Sequence, residues 1–173
     1  MRRRSDANQL GSLEKLVTGL PASECAMEIT VVYDEAQTHA WAVEVYQKMQ
    51  RILGAQAVRG TWWNVADLAE PGVLAGAVSK AIRSDLVVVA VSCSEGLPLP
   101  FYFWVNAWLP HRGNGVGALV ALLAAPVHNT TQSGRLKRYL QSVARCARMD
   151  WIVGERIAAD RIVKSSARFH LRN

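Results

Sequence analysis

Two hydrophobic patterns alternate along the chain and predict a repeat of strands and helices. Short continuous apolar or β-branched segments have the length of buried strands, whereas longer segments with apolar residues three or four positions apart show the spacing of one helix face. The predicted strands are residues 28–33, 58–65, 86–91, 118–124 and 151–153. The predicted helices are residues 38–53, about 71–84, 97–109 and 133–149, the second preceded by Asp67 and Glu70 as a capping pair.

Strict alternation of apolar strands with helices favours a parallel sheet covered on both faces, because right-handed crossovers place helices on either side of it. The pattern therefore predicts an α/β fold with three layers around a doubly wound, parallel, five-stranded sheet of the flavodoxin-like type. The segment 86–91 is apolar throughout and should form the centre of the sheet. We expect one domain over residues 27–157, a basic, weakly structured leader at 1–26 and a basic C-terminal tail at 158–173.

Composition and charge restrict the classes of function. Half of the 173 residues are hydrophobic, which is enough for a core. The three cysteines, Cys25, Cys93 and Cys146, are far apart and show no metal-ligand spacing, so we expect a reducing, cytoplasmic location. No apolar segment reaches the roughly 20 residues of a membrane span. The formal net charge of +6 favours anionic partners, but the charge gathers near the termini with little aromatic interleaving, so we expect no nucleic-acid role.

In a doubly wound sheet, ligands bind at the carboxyl ends of the strands, near the point where the strand order reverses. The candidate loops are residues 34–38, 64–67, 92–100 and 125–133. The last loop offers amides, hydroxyls and backbone N–H groups at the start of a predicted helix, and its candidate ligand-binding residues are His128, Asn129, Thr130 and Thr131. It is the best candidate for binding an anion, although Ser133 as a plain N-cap explains part of the pattern.

Residues 86–109 resemble the third strand, loop and helix of the flavodoxin-like NAD(P)H-dependent FMN reductases. In that family a glycine-containing loop follows the strand, a proline opens the helix, and an Asn and a Trp follow at helical spacing. The corresponding residues here are Gly96, Pro98 or Pro100, Asn106 and Trp108. The resemblance implies an FMN-dependent oxidoreductase whose loop lies against the flavin ring. The lining residues it implies are Ser92, Ser94, Glu95 and Gly96.

The loop after the first strand departs from that family, whose members carry Ser, Thr and Gly there to cradle the flavin phosphate. This chain has Asp34 and Glu35 instead, no glycine, and Thr38 as the one hydroxyl able to bind the cofactor. Each carboxylate would repel a phosphate dianion in a partly dry site. The alternative hypothesis is therefore a noncatalytic regulatory or protein-binding module on the same scaffold, and whether the chain is an enzyme stays open. The partner expected in either case is a flavin or another anionic small molecule, or a protein.

The acidic pair Asp34 and Glu35 is also similar to that of response-regulator receiver domains, which share this topology. The third strand, however, ends at Ser92 and Cys93, where the phosphoacceptor aspartate should stand, and no lysine ends the last strand. We therefore expect no phosphotransfer to an aspartate. For the acidic pair, a magnesium site and a simple helix cap both remain open.

The remaining reactive side chains have structural interpretations. We expect Cys93 to be a small buried thiol, because no catalytic motif surrounds it. We interpret His39 and His128 as exposed loop histidines, since a base needs a partner that the sequence does not indicate.

The aromatic residues predict both core and surface. Trp104 and Trp108 share a helical face and should be core, whereas the adjacent Trp62 and Trp63 must point to opposite faces of their strand. The helix at 97–109 carries more aromatic bulk than one face can bury, so at least one ring should be exposed, and a homodimer is predicted.

Overall fold

The computed structural model describes residues 26–94, 96–125 and 130–157, with the side chain of Thr130 left out. The predictions on the leader, the tail, Glu95, His128 and Asn129 lie outside these residues. The strands are β1 (Met27–Tyr33), β2 (Val58–Asn64), β3 (Leu86–Ser92), β4 (Ala118–Ala125) and β5 (Asp150–Ile157). The helices are α1 (Ala36–Leu53), α2 (Pro71–Arg83), α3 (Leu99–Trp108) and α4 (Thr130–Cys146). Among the described residues, no helix combines the length and hydrophobicity needed to cross a bilayer.

The five strands form one parallel sheet in the order β2-β1-β3-β4-β5. The predicted flavodoxin-like, doubly wound sheet is confirmed, as is the central position of β3, in which all seven residues are buried. The chain runs outward from β1 to β2 and then returns to the other side of β1 to continue through β3, β4 and β5. The strand order therefore reverses between β1 and β3, and a ligand site is expected at their carboxyl ends.

Helices cover both faces of the sheet. Alternate residues of each strand point in opposite directions, so both faces carry apolar side chains that need to be buried. On one face, α1 packs through Trp41, Ala42 and Met49. On the other face, α2, α3 and α4 pack together on the sheet, with Trp104 and Trp108 fully buried among them. Trp62 and Trp63 pack against different cores, as predicted for neighbours in a strand.

Two predicted helix caps are wrong, although the second helix starts at Pro71 as predicted. Asp67 lies within a 3₁₀ turn (Ala66–Ala69), and Glu70 is the N-cap of α2 without a side-chain hydrogen bond, so these residues are not a capping pair. Pro71 opens that helix and supplies the preset backbone angle. Ser133 is not an N-cap, because α4 begins three residues earlier at Thr130 and buries Ser133.

The predicted ends of the last two elements also shift. Helix α4 stops at Cys146 rather than at Met149, because Arg148 has a φ of 54° and takes the left-handed conformation that terminates a helix. The amide of Met149 then bonds to the carbonyl of Ala144 at 2.9 Å. Strand β5 extends to Ile157, well beyond the predicted residue 153, because β4 pairs with it along its whole length.

Candidate functional site

The carboxyl ends of β1 and β3 are joined at the switch point by one side chain. The backbone N–H of Ser92 donates a hydrogen bond of 2.8 Å to Oδ2 of Asp34, the first residue after β1. The N–H of Asp34 in turn donates to the carbonyl of Ala90 at 3.3 Å. The carboxylate of Asp34 thus lies across the loop edge where a ligand of a doubly wound sheet is expected.

The hydroxyl of Thr38 is engaged at the start of α1. It donates to Oδ1 of Asp34 at 2.8 Å and accepts the backbone N–H of Glu35 at 3.1 Å. Thr38 itself is 1% exposed. The one hydroxyl predicted to bind a flavin phosphate in this loop is therefore buried and already bonded within the loop.

Burial raises the pKa of Asp34, and the neighbouring charge of Glu35 adds to that effect. The hydrogen bonds from Ser92 and Thr38 oppose it by stabilising the ionised form. The balance leaves a carboxyl group that is costly to ionise in place, yet both of its oxygens accept hydrogen bonds. The carboxyl group of Asp34 therefore occupies the donors of this site.

An FMN phosphate does not fit this arrangement. A phosphate would need the hydroxyl and N–H donors at the start of α1, but the N–H of Glu35 and the hydroxyl of Thr38 already have partners, and the Asp34 carboxylate lies among them. Within the described ranges, no group of three or more His, Cys, Asp or Glu side chains is arranged to hold a metal ion.

The loop after β3 presents a smaller polar group. The hydroxyls of Ser92 and Ser94 lie 2.9 Å apart, and Ser94 and Gly96 are exposed. The structure thus brings Thr38, Ser92 and Ser94 to the same edge of the sheet, around Asp34. Thr131 is exposed in the first turn of α4.

A cleft of about 240 Å³ opens between α3 and α4 on the face of the sheet that carries three helices. Its lining residues are Cys93, Gly96, Leu97, Tyr102, Gln132, Arg135, Leu136 and Tyr139. Sequence reasoning missed the contribution of Arg135 and Tyr139, although their spacing of four residues places them on one face of α4. Tyr102 was assigned only to the aromatic bulk of α3.

The two tyrosines of the cleft contact each other, with ring centroids 5.2 Å apart in an edge-to-face arrangement. Burial raises the pKa of Tyr139 to about 12, and Tyr102 adds to the shift. The Tyr139 hydroxyl therefore stays protonated at neutral pH and is available as a donor.

Cys93 forms part of the cleft floor and is 1% exposed, which confirms the prediction of a buried thiol. Burial raises its pKa to about 11, although a hydrogen bond with Ser133 opposes the shift. A thiol held in its neutral form is a poor nucleophile.

The prediction that His39 lies in a loop is wrong, because α1 begins at Ala36 and includes it. Its ring lies between those of Tyr33 and Trp62, at centroid distances of 4.4 and 5.3 Å. His39 is therefore part of an aromatic cluster formed by α1, β1 and β2.

No protein-family model and no curated protein sequence matches this chain. Among solved structures, the fold is similar to that of the Trp repressor binding protein from Bacillus subtilis, with a TM-score of 0.50 and 10% sequence identity. The similarity covers 75% of this chain and 85% of that chain. At this level of identity the similarity shows the flavodoxin-like fold and leaves function to be argued from the site.

Proposed function

We propose that this protein is a noncatalytic binding or regulatory module that keeps the flavodoxin-like scaffold but does not hold FMN by its phosphate. The observation that carries the proposal is the position of Asp34. Its carboxylate accepts hydrogen bonds from both Ser92 and Thr38, at the edge where the phosphate of a flavin would need donors.

Electrostatic repulsion opposes the binding of a phosphate at this edge of the sheet. Two unit charges of the same sign 4 Å apart repel by about 4 kcal/mol at the effective dielectric of a partly buried site. A phosphate dianion beside an ionised Asp34 would meet that repulsion, with a further contribution from Glu35. Protonation of Asp34 would remove its charge but would not free the hydroxyl of Thr38, which can also donate to the carbonyl of Glu35 at 2.9 Å.

A second candidate is an FMN-dependent oxidoreductase that binds the flavin mainly through its ring. The exposed loop after β3, with Ser94 and Gly96 at the carboxyl edge of the sheet, favours it. The flavin would supply the redox chemistry, while the protein would orient its ring and exclude water. This candidate requires flavin affinity without a phosphate cradle, and for that reason we place it second.

Titration with FMN separates the two candidates. The proposal predicts that the purified protein shows no flavin spectrum and takes up none at tens of micromolar FMN. Replacing the acidic pair by Asp34→Ser with Glu35→Gly should raise FMN affinity by about tenfold or more, because two like charges are removed. The matched control, Asp67→Ser with Glu70→Gly, removes the same charge from an exposed connection and should leave FMN binding unchanged.

Thermal unfolding shows whether each variant is folded before it is titrated. Glu35→Gln, which removes one charge and leaves the Asp34 to Ser92 bond in place, should give a smaller gain than the double variant. Stoichiometric uptake of FMN by the unaltered protein would overturn the proposal and favour the oxidoreductase. A parallel titration with magnesium tests whether the acidic pair holds a cation instead.

A further inference from the structure

The cleft between α3 and α4 has the size of a site for a single ring. Ligand pockets for drug-sized molecules typically measure about 300–1,000 Å³, and this cleft measures about 240 Å³. It is therefore too small for a three-ring flavin with its ribityl phosphate chain. A molecule with one aromatic ring and a short polar substituent matches the volume.

The charge of the residues that line the cleft favours an anionic ligand. Arg135 is exposed on α4 and lines the cleft, and no carboxylate occurs among the described lining residues. Among the described residues, Arg135 takes part in none of the ion pairs, which join Arg59 to Glu28, Lys137 to Glu155 and Arg156 to Glu44. A guanidinium without a protein carboxylate can form a bidentate pair with the carboxylate of a ligand.

The side chains on the walls and floor of the cleft favour a ligand with an aromatic ring. Tyr102 and Tyr139 present phenol rings in edge-to-face contact, and a third ring can extend such a cluster. Leu136 and the neutral thiol of Cys93 add an apolar floor. Tyr139 and Arg135 lie one helical turn apart on α4 and both line the cleft, so both can contact the same polar group of a ligand.

We infer that this cleft binds a small aromatic carboxylate, with its ring against Tyr102 and Tyr139 and its carboxylate on Arg135. The inference rests on the proposed binding function and gives it a ligand class. The cleft uses a different set of residues from Asp34, Thr38 and Ser92, so an experiment can contradict this inference without contradicting the proposed function.

Calorimetric titration of the full chain with benzoate tests the inference, with benzyl alcohol as an uncharged probe of the same size. Benzoate should bind with a dissociation constant on the order of 1 mM or tighter, as a small ligand with one charged contact allows. Benzyl alcohol should bind about tenfold more weakly or not at all, because it cannot pair with Arg135. Arg135→Gln should weaken benzoate by about tenfold, and Tyr139→Phe by about threefold.

Arg138→Gln is the matched control, because Arg138 is an exposed arginine of the same helix that does not line the cleft. This variant should bind benzoate as the unaltered protein does. Absence of benzoate binding, equal binding of benzyl alcohol, or equal losses in the Arg135 and Arg138 variants would each overturn the inference. None of these results bears on FMN, whose uptake would count against the proposed function instead.

Discussion

The backbone N–H of Ser92 donates a 2.8 Å hydrogen bond to the carboxylate of Asp34, which lies 58 residues earlier in the chain. The bond joins the ends of β1 and β3, the two neighbouring strands between which the sheet reverses its order. At this position a doubly wound fold offers its ligand site. Here the Asp34 side chain itself occupies that edge.

The ionisation of Asp34 should make stability depend on pH. Its pKa is raised in the folded protein above 3.8, so between that value and the native pKa the folded state binds more protons than the unfolded state. The free energy of unfolding therefore loses this contribution as pH rises through that window. Urea unfolding at a series of pH values should show a decline for the unaltered protein that Asp34→Asn lacks.

The control for this experiment is Asp67→Asn, which removes an exposed carboxylate from the connection before α2. Its pH profile should follow that of the unaltered protein. If the Asp34→Asn profile also does so over the acidic range, the raised pKa of Asp34 is wrong.

The Cys93 thiol should resist alkylation in the folded protein. With its pKa raised to about 11, on the order of one thiol in a thousand is ionised at a pH of about 8. In a Cys25→Ser, Cys146→Ser background, iodoacetamide should modify Cys93 only after denaturation, as measured by mass spectrometry. The companion background, Cys25→Ser with Cys93→Ser, leaves the exposed Cys146 and should react readily in native buffer. Equal native rates for the two thiols would contradict the burial of Cys93.

Gly60 in β2 should not tolerate a side chain. A Cβ there would lie 2.7 Å from Cε2 of Tyr46, whose ring is held by an edge contact with Trp62 and whose hydroxyl bonds to the carbonyl of Val58 at 3.3 Å. Gly60→Ala should therefore lower the free energy of unfolding by about 1–3 kcal/mol.

Gly72→Ala is the control for Gly60, because a Cβ at Gly72 meets nothing within 4 Å. This residue lies in α2, where Ala is the better helix former, so stability should be unchanged or rise by up to about 1 kcal/mol. Thermal unfolding of both variants measures the difference. Equal melting temperatures would show that the Tyr46 ring moves aside without a loss of stability.

Self-association should proceed through α3. The prediction of an exposed aromatic ring is confirmed, since Phe103 is 54% exposed and Leu99, one turn earlier, is 62% exposed. Residues 96–110 carry no charged side chain, so two copies can meet there without like charges in contact, despite a net charge of +6 on each chain. Light scattering at micromolar concentration should therefore report a dimer of the 19.0 kDa chain.

Phe103→Glu should convert that dimer to a monomer, because the new glutamates of the two copies would repel each other in the interface. Val116→Glu is the matched control, since Val116 is 78% exposed but lies outside α3, in the connection before β4. A 19.0 kDa particle for the unaltered protein, or dissociation of both variants alike, would contradict an interface on α3.

The sequence alone determined the elements and their layers. Hydrophobic periodicity is a local property, so it identified five strands and four helices, the central position of β3 and the burial of Trp104 and Trp108. The capping pair of Asp67 and Glu70 and the N-cap role of Ser133 were predicted wrongly, because side-chain capping patterns do not report the backbone and packing contacts that decide where a helix begins.

Only the tertiary structure decided the chemistry of the carboxyl edge. Asp34 was visible as an acidic residue after a strand, but its bond to Ser92 depends on β1 and β3 being neighbours, and the strand order is set by long-range pairing. The cleft likewise requires Tyr102 and Tyr139, from two helices, to meet at 5.2 Å. Periodicity indicates which face of each helix is buried, whereas the residues that meet across a cleft depend on how the helices pack on the sheet.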